Sequence, residues 1–371
     1  MKRDAHYYAL LAFCRACGYS KESAHVIADA SQFVDDAKIN LMFLDTNDLK
    51  APYEFVNNRP AFFNMATCHS YFQIETFNYE AMVNNTIAFH FVPGFKGENF
   101  TKRLRCMEES PIIMDLIKEV MLEDDLIKLG MVLHVYVDTF SHQGFNGMVS
   151  KVNAIKNCEA YNIKSLGLFD KTLKILKQLS QNNYEIYFDK IMPAYGHAQA
   201  LDYPDLPYLE WAYEYDYSDE FNGLYKKIVI DNKDRYQRAF RGVEKLLKNY
   251  LLYHPHYRDS AIQFDSIEPL MKSLIYEGHD ALRIKNWQNL LIEQRLLDRK
   301  DKDLLTYEDD RWLKDAFANY DRKVFENRVV ENVRLADNFE CSKWYGFYTA
   351  AKWYKKRFLE ICNKYQLFLP I

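Results

Sequence analysis

Residues 134–142 read His134-Val-Tyr-Val-Asp138-Thr-Phe-Ser-His142, so three side chains able to bind a metal recur at every fourth position. On an α-helix, residues four apart stand on one face, each a turn above the last. The preceding segment, Asp125-Leu-Ile-Lys-Leu-Gly-Met-Val-Leu, is helix-forming and supplies the apolar positions that bury this helix. Two imidazoles and a carboxylate are thereby stacked along a buried seam. Burying an unpaired charge is costly, and a metal cation is one of the few things that offsets the cost. The competing explanation is a core in which these side chains only bond to one another.

Further residues could complete such a site. Asp4-Ala-His6 stands near the N-terminus, and Asp35-Asp36 closes an otherwise apolar second helix. Two adjacent acids in such a place need partners or a cation. His69 lies in Ala-Thr-Cys-His-Ser. His197 follows a glycine and precedes Asp202 and Asp205, within a stretch (191–225) that holds seven acids and no Lys or Arg. His90, in Phe-His-Phe-Val-Pro-Gly, is a candidate substrate contact. Phe140 and Tyr195 are candidates to pack on a choline head group or to stack on a base. His25 lies in a helix with no acid partner, and His279-Asp280 reads as a surface turn.

The elements that must position these groups read as helices. Only 12 Gly and 10 Pro occur in 371 residues, and long side chains abound. Few turn formers point to helices joined by short loops. Helices are expected over 7–17, 21–39, 111–122, 124–142, 165–190, 224–251, 260–298, 308–328 and 342–366, with strand-like alternation short wherever it occurs. The expected fold is all-α: a metal-binding catalytic core over 1–223 and a C-terminal helical extension over 224–371. The charged run Arg299-Lys-Asp-Lys-Asp303 is the one visible hinge.

Composition narrows the partners. A net charge of −4 does not favour a duplex nucleic-acid binder. Seven scattered cysteines fit a reducing compartment rather than a disulfide framework. No apolar run reaches the roughly 18 residues that a spanning helix needs, and the start of the chain is not a clean signal peptide. The expectation is a cytoplasmic protein without a transmembrane segment, with peripheral membrane contact and signal-independent secretion left open.

The order of the candidates resembles the zinc-dependent phospholipase C and single-strand zinc nuclease superfamily. Asp-Ala-His-Tyr-Tyr, Ser-Gln-Phe-Val-Asp-Asp, Phe-His-Phe-Val-Pro-Gly and Gly-His-Ala-Gln-Ala also look like an uncharacterised bacterial family related to those enzymes. The resemblance covers residues 1–215 and implies an all-helical fold with two or three clustered zinc ions. It implies one zinc on Asp36 or Asp35, His69, His134 and Asp138. Asp138 would bridge to a second zinc held by His6, with Asp4, in place of the free N-terminal amine that the superfamily uses. A third zinc would take His142, His197 and one of Asp202 or Asp205. The implied activity is hydrolysis of a phosphoester, phospholipase C-like, with Asp36 orienting or deprotonating the attacking water. The alternatives are a nuclease-like phosphodiesterase and a non-catalytic helical scaffold.

Overall fold

In a computed structural model the described residues are 1–45, 53–68, 78–161, 193–216, 227–262, 264 and 266–369. A π-helical turn, Asp4–Ala9, runs into α1 (Leu10–Ala16), and α2 spans Lys21–Asp36. Strands β1 (Leu41–Leu44), β2 (Glu54–Val56) and β3 (Arg59–Phe63) follow. A second π stretch, Met82–Ile87, leads into the short α3 (Ala88–His90), and then come α4 (Pro111–Val120) and α5 (Leu126–Ser141). Next are β4 (Ile155–Ala160), β5 (Glu210–Tyr215), β6 (Ile228–Asp231) and α6 (Asn232–Tyr253). The C-terminal part adds α7 (Asp280–Glu293), β7 (Val329–Val333) and α8 (Lys343–Lys364).

The fold is therefore mixed α/β, which corrects the all-α expectation. Among the described residues 54% are helical and 13% extended. One mixed sheet runs β2-β3-β1-β7, with β1 parallel to β7, and an antiparallel sheet runs β4-β5-β6. The strands are too short for a period-2 signal to stand out. β1 reads Leu-Met-Phe-Leu and is mostly buried, so it does not alternate. β6 lies where the helix over 224–251 was expected to begin. The expected helix over 260–298 is broken before α7 at Gly278, and 308–328 holds only the short helices Arg311–Ala316 and Arg322–Phe325. The helix expected over 165–190 lies outside the described residues. No described helix is long and apolar enough to cross a membrane.

Local chemistry accounts for the two helices that matter most. Ser20 caps α2 by accepting from the Ser23 amide, and Asp125 caps α5 by accepting from Ile127 and Lys128. α5 is buried nearly all round, as expected of a central helix. It lies so close to α2 that a Cβ on Gly130 would sit 2.3 Å from the Ile27 carbonyl oxygen and 2.8 Å from Ala30 Cβ. Gly130→Ala is thus expected to push the helices apart and destabilise the fold by about 1–3 kcal/mol, read as a lowered midpoint in thermal denaturation.

The main apolar cluster draws on both 1–223 and 224–371, from Leu11 and Val34 to Phe347 and Phe358. The charged run near 299–303 is tied down, because Lys21 on α2 pairs with Asp298 at 2.6 Å and Asp301 at 2.5 Å. His25 does have an acid partner, Asp29, 3.1 Å away and one turn on. Burial raises Asp29 to about 7, despite Arg311 nearby. The folded state keeps a proton that the unfolded chain loses near pH 4. Asp29 should therefore make stability fall as pH rises from about 4 to 7, by at most ~4 kcal/mol. Asp29→Asn is expected to remove that slope in melts run between pH 4.5 and 7.5.

Candidate metal centre

Six elements converge on Asp138. α5 contributes His134 and Asp138 on adjacent turns, with His142 at its C-terminal cap. The N-terminal π turn brings His6, the last turn of α2 brings Asp35, and α3 brings His90. Both π segments lead to site histidines, and such widened turns recur at functional sites because they re-aim side chains. His197 precedes one 3-10 turn, Ala198–Ala200, and Asp205 ends the next, Tyr203–Asp205.

The nitrogens and oxygens meet at regular separations. Asp138 Oδ1 lies 3.2 Å from His6 Nε2, and Asp138 Oδ2 lies 3.2 Å from His90 Nδ1 and 3.4 Å from His134 Nε2. Asp35 Oδ1 is 3.8 Å from both His90 Nδ1 and His134 Nε2. Asp205 is 3.2 Å from His142 Nε2 and 3.5 Å from His197 Nε2. Two ligands bound tetrahedrally at 2.0–2.1 Å stand roughly 3.3 Å apart. Among the described residues three groups could hold a cation, the first two sharing His134: His6, His134 and Asp138; Asp35, His90 and His134; and His142, His197 and Asp205.

Three of the rings are locked by their other nitrogen. His90 Nε2 donates to the Thr67 carbonyl at 3.1 Å, His142 Nδ1 to the His90 carbonyl at 2.7 Å, and His197 Nδ1 to the Leu201 carbonyl at 2.9 Å. A carbonyl only accepts, so in each ring this nitrogen carries the proton. The other nitrogen of each ring faces a carboxylate, at 3.2 Å for His90 and His142 and 3.5 Å for His197. A backbone anchor opposite a free nitrogen is how metal-binding histidines are oriented. His6 is 1% exposed and its Nδ1 has no hydrogen-bond partner among the described residues. His134 Nδ1 is likewise buried without one.

Charge fits the same picture. Burial holds His6, His90 and His134 below the ordinary histidine range and takes His197 to about 4. These four are neutral at neutral pH, the form that binds metals. Burial opposes the charge on His142, but Asp138 and Asp205 together outweigh it and raise His142. Burial opposes the charge on Asp138 and Asp205, but the Met1 amine and the nearby histidines outweigh it and hold both well below the usual carboxylate range. The Met1 ammonium lies 2.6 Å from Asp138 and 3.1 Å from Asp205. A positive group between these two carboxylates shows the charge that the pocket favours.

A model of a family of unknown function (DUF6765) matches residues 1–362. The chain belongs to the DUF6765 family. No curated protein and no solved structure matches it. The DUF6765 match includes every residue of the centre and nearly all of α8.

Several sequence expectations meet here in the DUF6765 protein. His6, Asp35, His134, Asp138, His142, His197 and Asp205 come together. Asp4 does not: it is turned away and paired with Arg283 at 2.7 Å. Asp36 also points elsewhere, accepting from Tyr307 Oη at 2.8 Å and Gln32 Nε2 at 3.1 Å, so Asp35 takes its place beside the histidines. Asp202 pairs with Lys2 at 2.6 Å and leaves Asp205 as the ligand candidate. His69 lies outside the described residues. His90, expected to touch substrate, is a ligand candidate. No spacing in the sequence ties it to Asp138, which is 48 residues away. Tyr195 hydrogen-bonds to Thr86, and Phe140 packs edge-on against Tyr136; both are buried.

Proposed function

We propose that this DUF6765 protein is a zinc-dependent phosphoester hydrolase with phospholipase C-like chemistry. One observation carries the reading: three buried histidines, each anchored on a backbone carbonyl, turn their second ring nitrogen towards Asp138 or Asp205 at ligand-to-ligand spacing. A mixed set of imidazoles and carboxylates suits zinc, whereas magnesium and calcium prefer oxygen alone. When bound, zinc supplies a hydroxide nucleophile at neutral pH and a counter-charge for the phosphoryl group. Asp35 has the most exposed carboxylate of the cluster, with 27% of its side chain accessible. It stands at the opening beside Met1, where its carboxylate would orient an attacking water. Lys2 and Arg3 line the same opening as Met1 and Asp35, together with Asp4 and Asp280, and Lys2 is already paired with Asp202. The phosphoester class rests on the superfamily resemblance together with this ligand set.

The test is metal content followed by turnover. Purified without chelator, the protein is expected to hold two or three zinc per chain by elemental mass spectrometry, in keeping with three ligand groups. Stripping the metal should lower the thermal midpoint, because ligand-bound folded protein is stabilised by mass action. The loaded protein should cleave bis(4-nitrophenyl) phosphate, and the stripped protein should not. Stoichiometric zinc without turnover of any phosphodiester sinks the hydrolase reading alone. No stoichiometric metal after zinc is added back leaves a non-catalytic scaffold.

A further inference from the structure

We infer that the substrate's leaving group is a compact neutral aryl group, seated in a cavity of about 250 Å³ beside the metal centre. This rests on the phosphoester reading and narrows it. Asp35 lines the cavity and also stands 3.8 Å from His90 and His134, so cavity and ligand cluster share this residue. A phosphoryl group at the cluster would place its ester substituent within reach of this space.

Size, shape and charge select the occupant. The walls include Phe33, Leu313, Trp344, Phe347 and Tyr348. Phe33 meets Phe347 edge-on at 4.8 Å, and Trp344 lies parallel to Tyr348 at 5.9 Å, so the walls offer both ring edges and ring faces. Offset and edge-to-face contacts favour an aromatic guest over an alkyl one. An apolar cavity of ~150 Å³ takes up benzene; this one has room for one or two fused rings and not for two long acyl chains. Among the charged residues of the lining, Asp35, Asp36, Asp309, Asp310 and Glu326 outnumber Lys38 and Arg322. An anionic substituent is therefore disfavoured. Most of these walls come from residues 309–348, outside the segment that carries the superfamily resemblance.

The experiment is calorimetric binding of 2-naphthol, with n-hexanol and 2-naphthoate as comparisons, to zinc-loaded and to chelator-stripped protein. Saturable binding of one 2-naphthol per chain is expected in both forms, with hexanol and naphthoate each at least about tenfold weaker. Leu313→Phe adds volume at a partly buried wall position and should weaken naphthol at least about tenfold. No naphthol binding by zinc-loaded protein overturns the inference and leaves the metal reading intact. Equal binding of hexanol, or of naphthoate, overturns it on the wild-type protein alone, whatever the variant's folding. Naphthol binding without stoichiometric zinc overturns the hydrolase reading instead and leaves an aryl site.

Discussion

If the proposed zinc hydrolase reading holds, Asp138→Asn is expected to abolish zinc binding at His6, His134 and Asp138, to weaken it at the adjoining Asp35, His90 and His134, and to lower phosphodiesterase activity by at least about 100-fold. Both oxygens of Asp138 are engaged: Oδ1 faces His6 and the Met1 amine, and Oδ2 faces His90 and His134. Asparagine keeps the volume and one acceptor but removes the charge and puts an amide N–H towards a cation. The group made by His142, His197 and Asp205 does not use Asp138 as a ligand and should keep at most one metal. Elemental analysis of the purified variant checks this. Full metal content would show that Asp138 does not bridge.

The second large effect is expected at a residue that touches no ligand atom. Arg283, on α7, is 1% exposed and holds Asp4 through Nε at 2.7 Å and Nη2 at 3.1 Å. Its Nη1 donates to the Gly278 carbonyl at 2.7 Å. Arg283→Met would leave the Asp4 carboxylate buried and unpaired, a loss of about 3–5 kcal/mol. The pair also clamps the turn that carries His6, two residues on from Asp4, so metal affinity should fall with stability. Urea denaturation of Arg283→Met, of Asp4→Leu and of the double variant separates the causes. The double variant should recover most of the lost stability, because no buried charge is left alone, while its zinc affinity stays weakened. Equal stability in all three would mean that the pair is not a structural clamp.

The legible part of this protein is the part governed by helical periodicity. His134, Asp138 and His142 share a face because α5 repeats every 3.6 residues, and the acid cap and apolar run ahead of them mark that helix. The pairing of Asp35-Asp36 with an apolar helix marks a place where a charge needs a partner. Chain order could not choose between neighbours. Asp35 and Asp36 differ by one residue, about 100° around α2, which turns one towards His134 and the other towards Tyr307. Asp202 and Asp205 are divided by Lys2, which takes Asp202 from far away in sequence.

The candidate ligands on α5 and the helix that carries them are legible in chain order, since both depend on spacing within a few residues. The tertiary structure alone decided the rest. His90 joins the centre because its ring is anchored on Thr67, and Asp4 leaves it because Arg283, 279 residues away, offers a stronger partner. The two sheets formed from strands too short to announce themselves, held by pairings such as Met42 with Val330. The aromatic cavity beside Asp35 is built from both ends of the chain. Each of these depends on which distant groups burial brings together, and that is settled by packing rather than by local pattern.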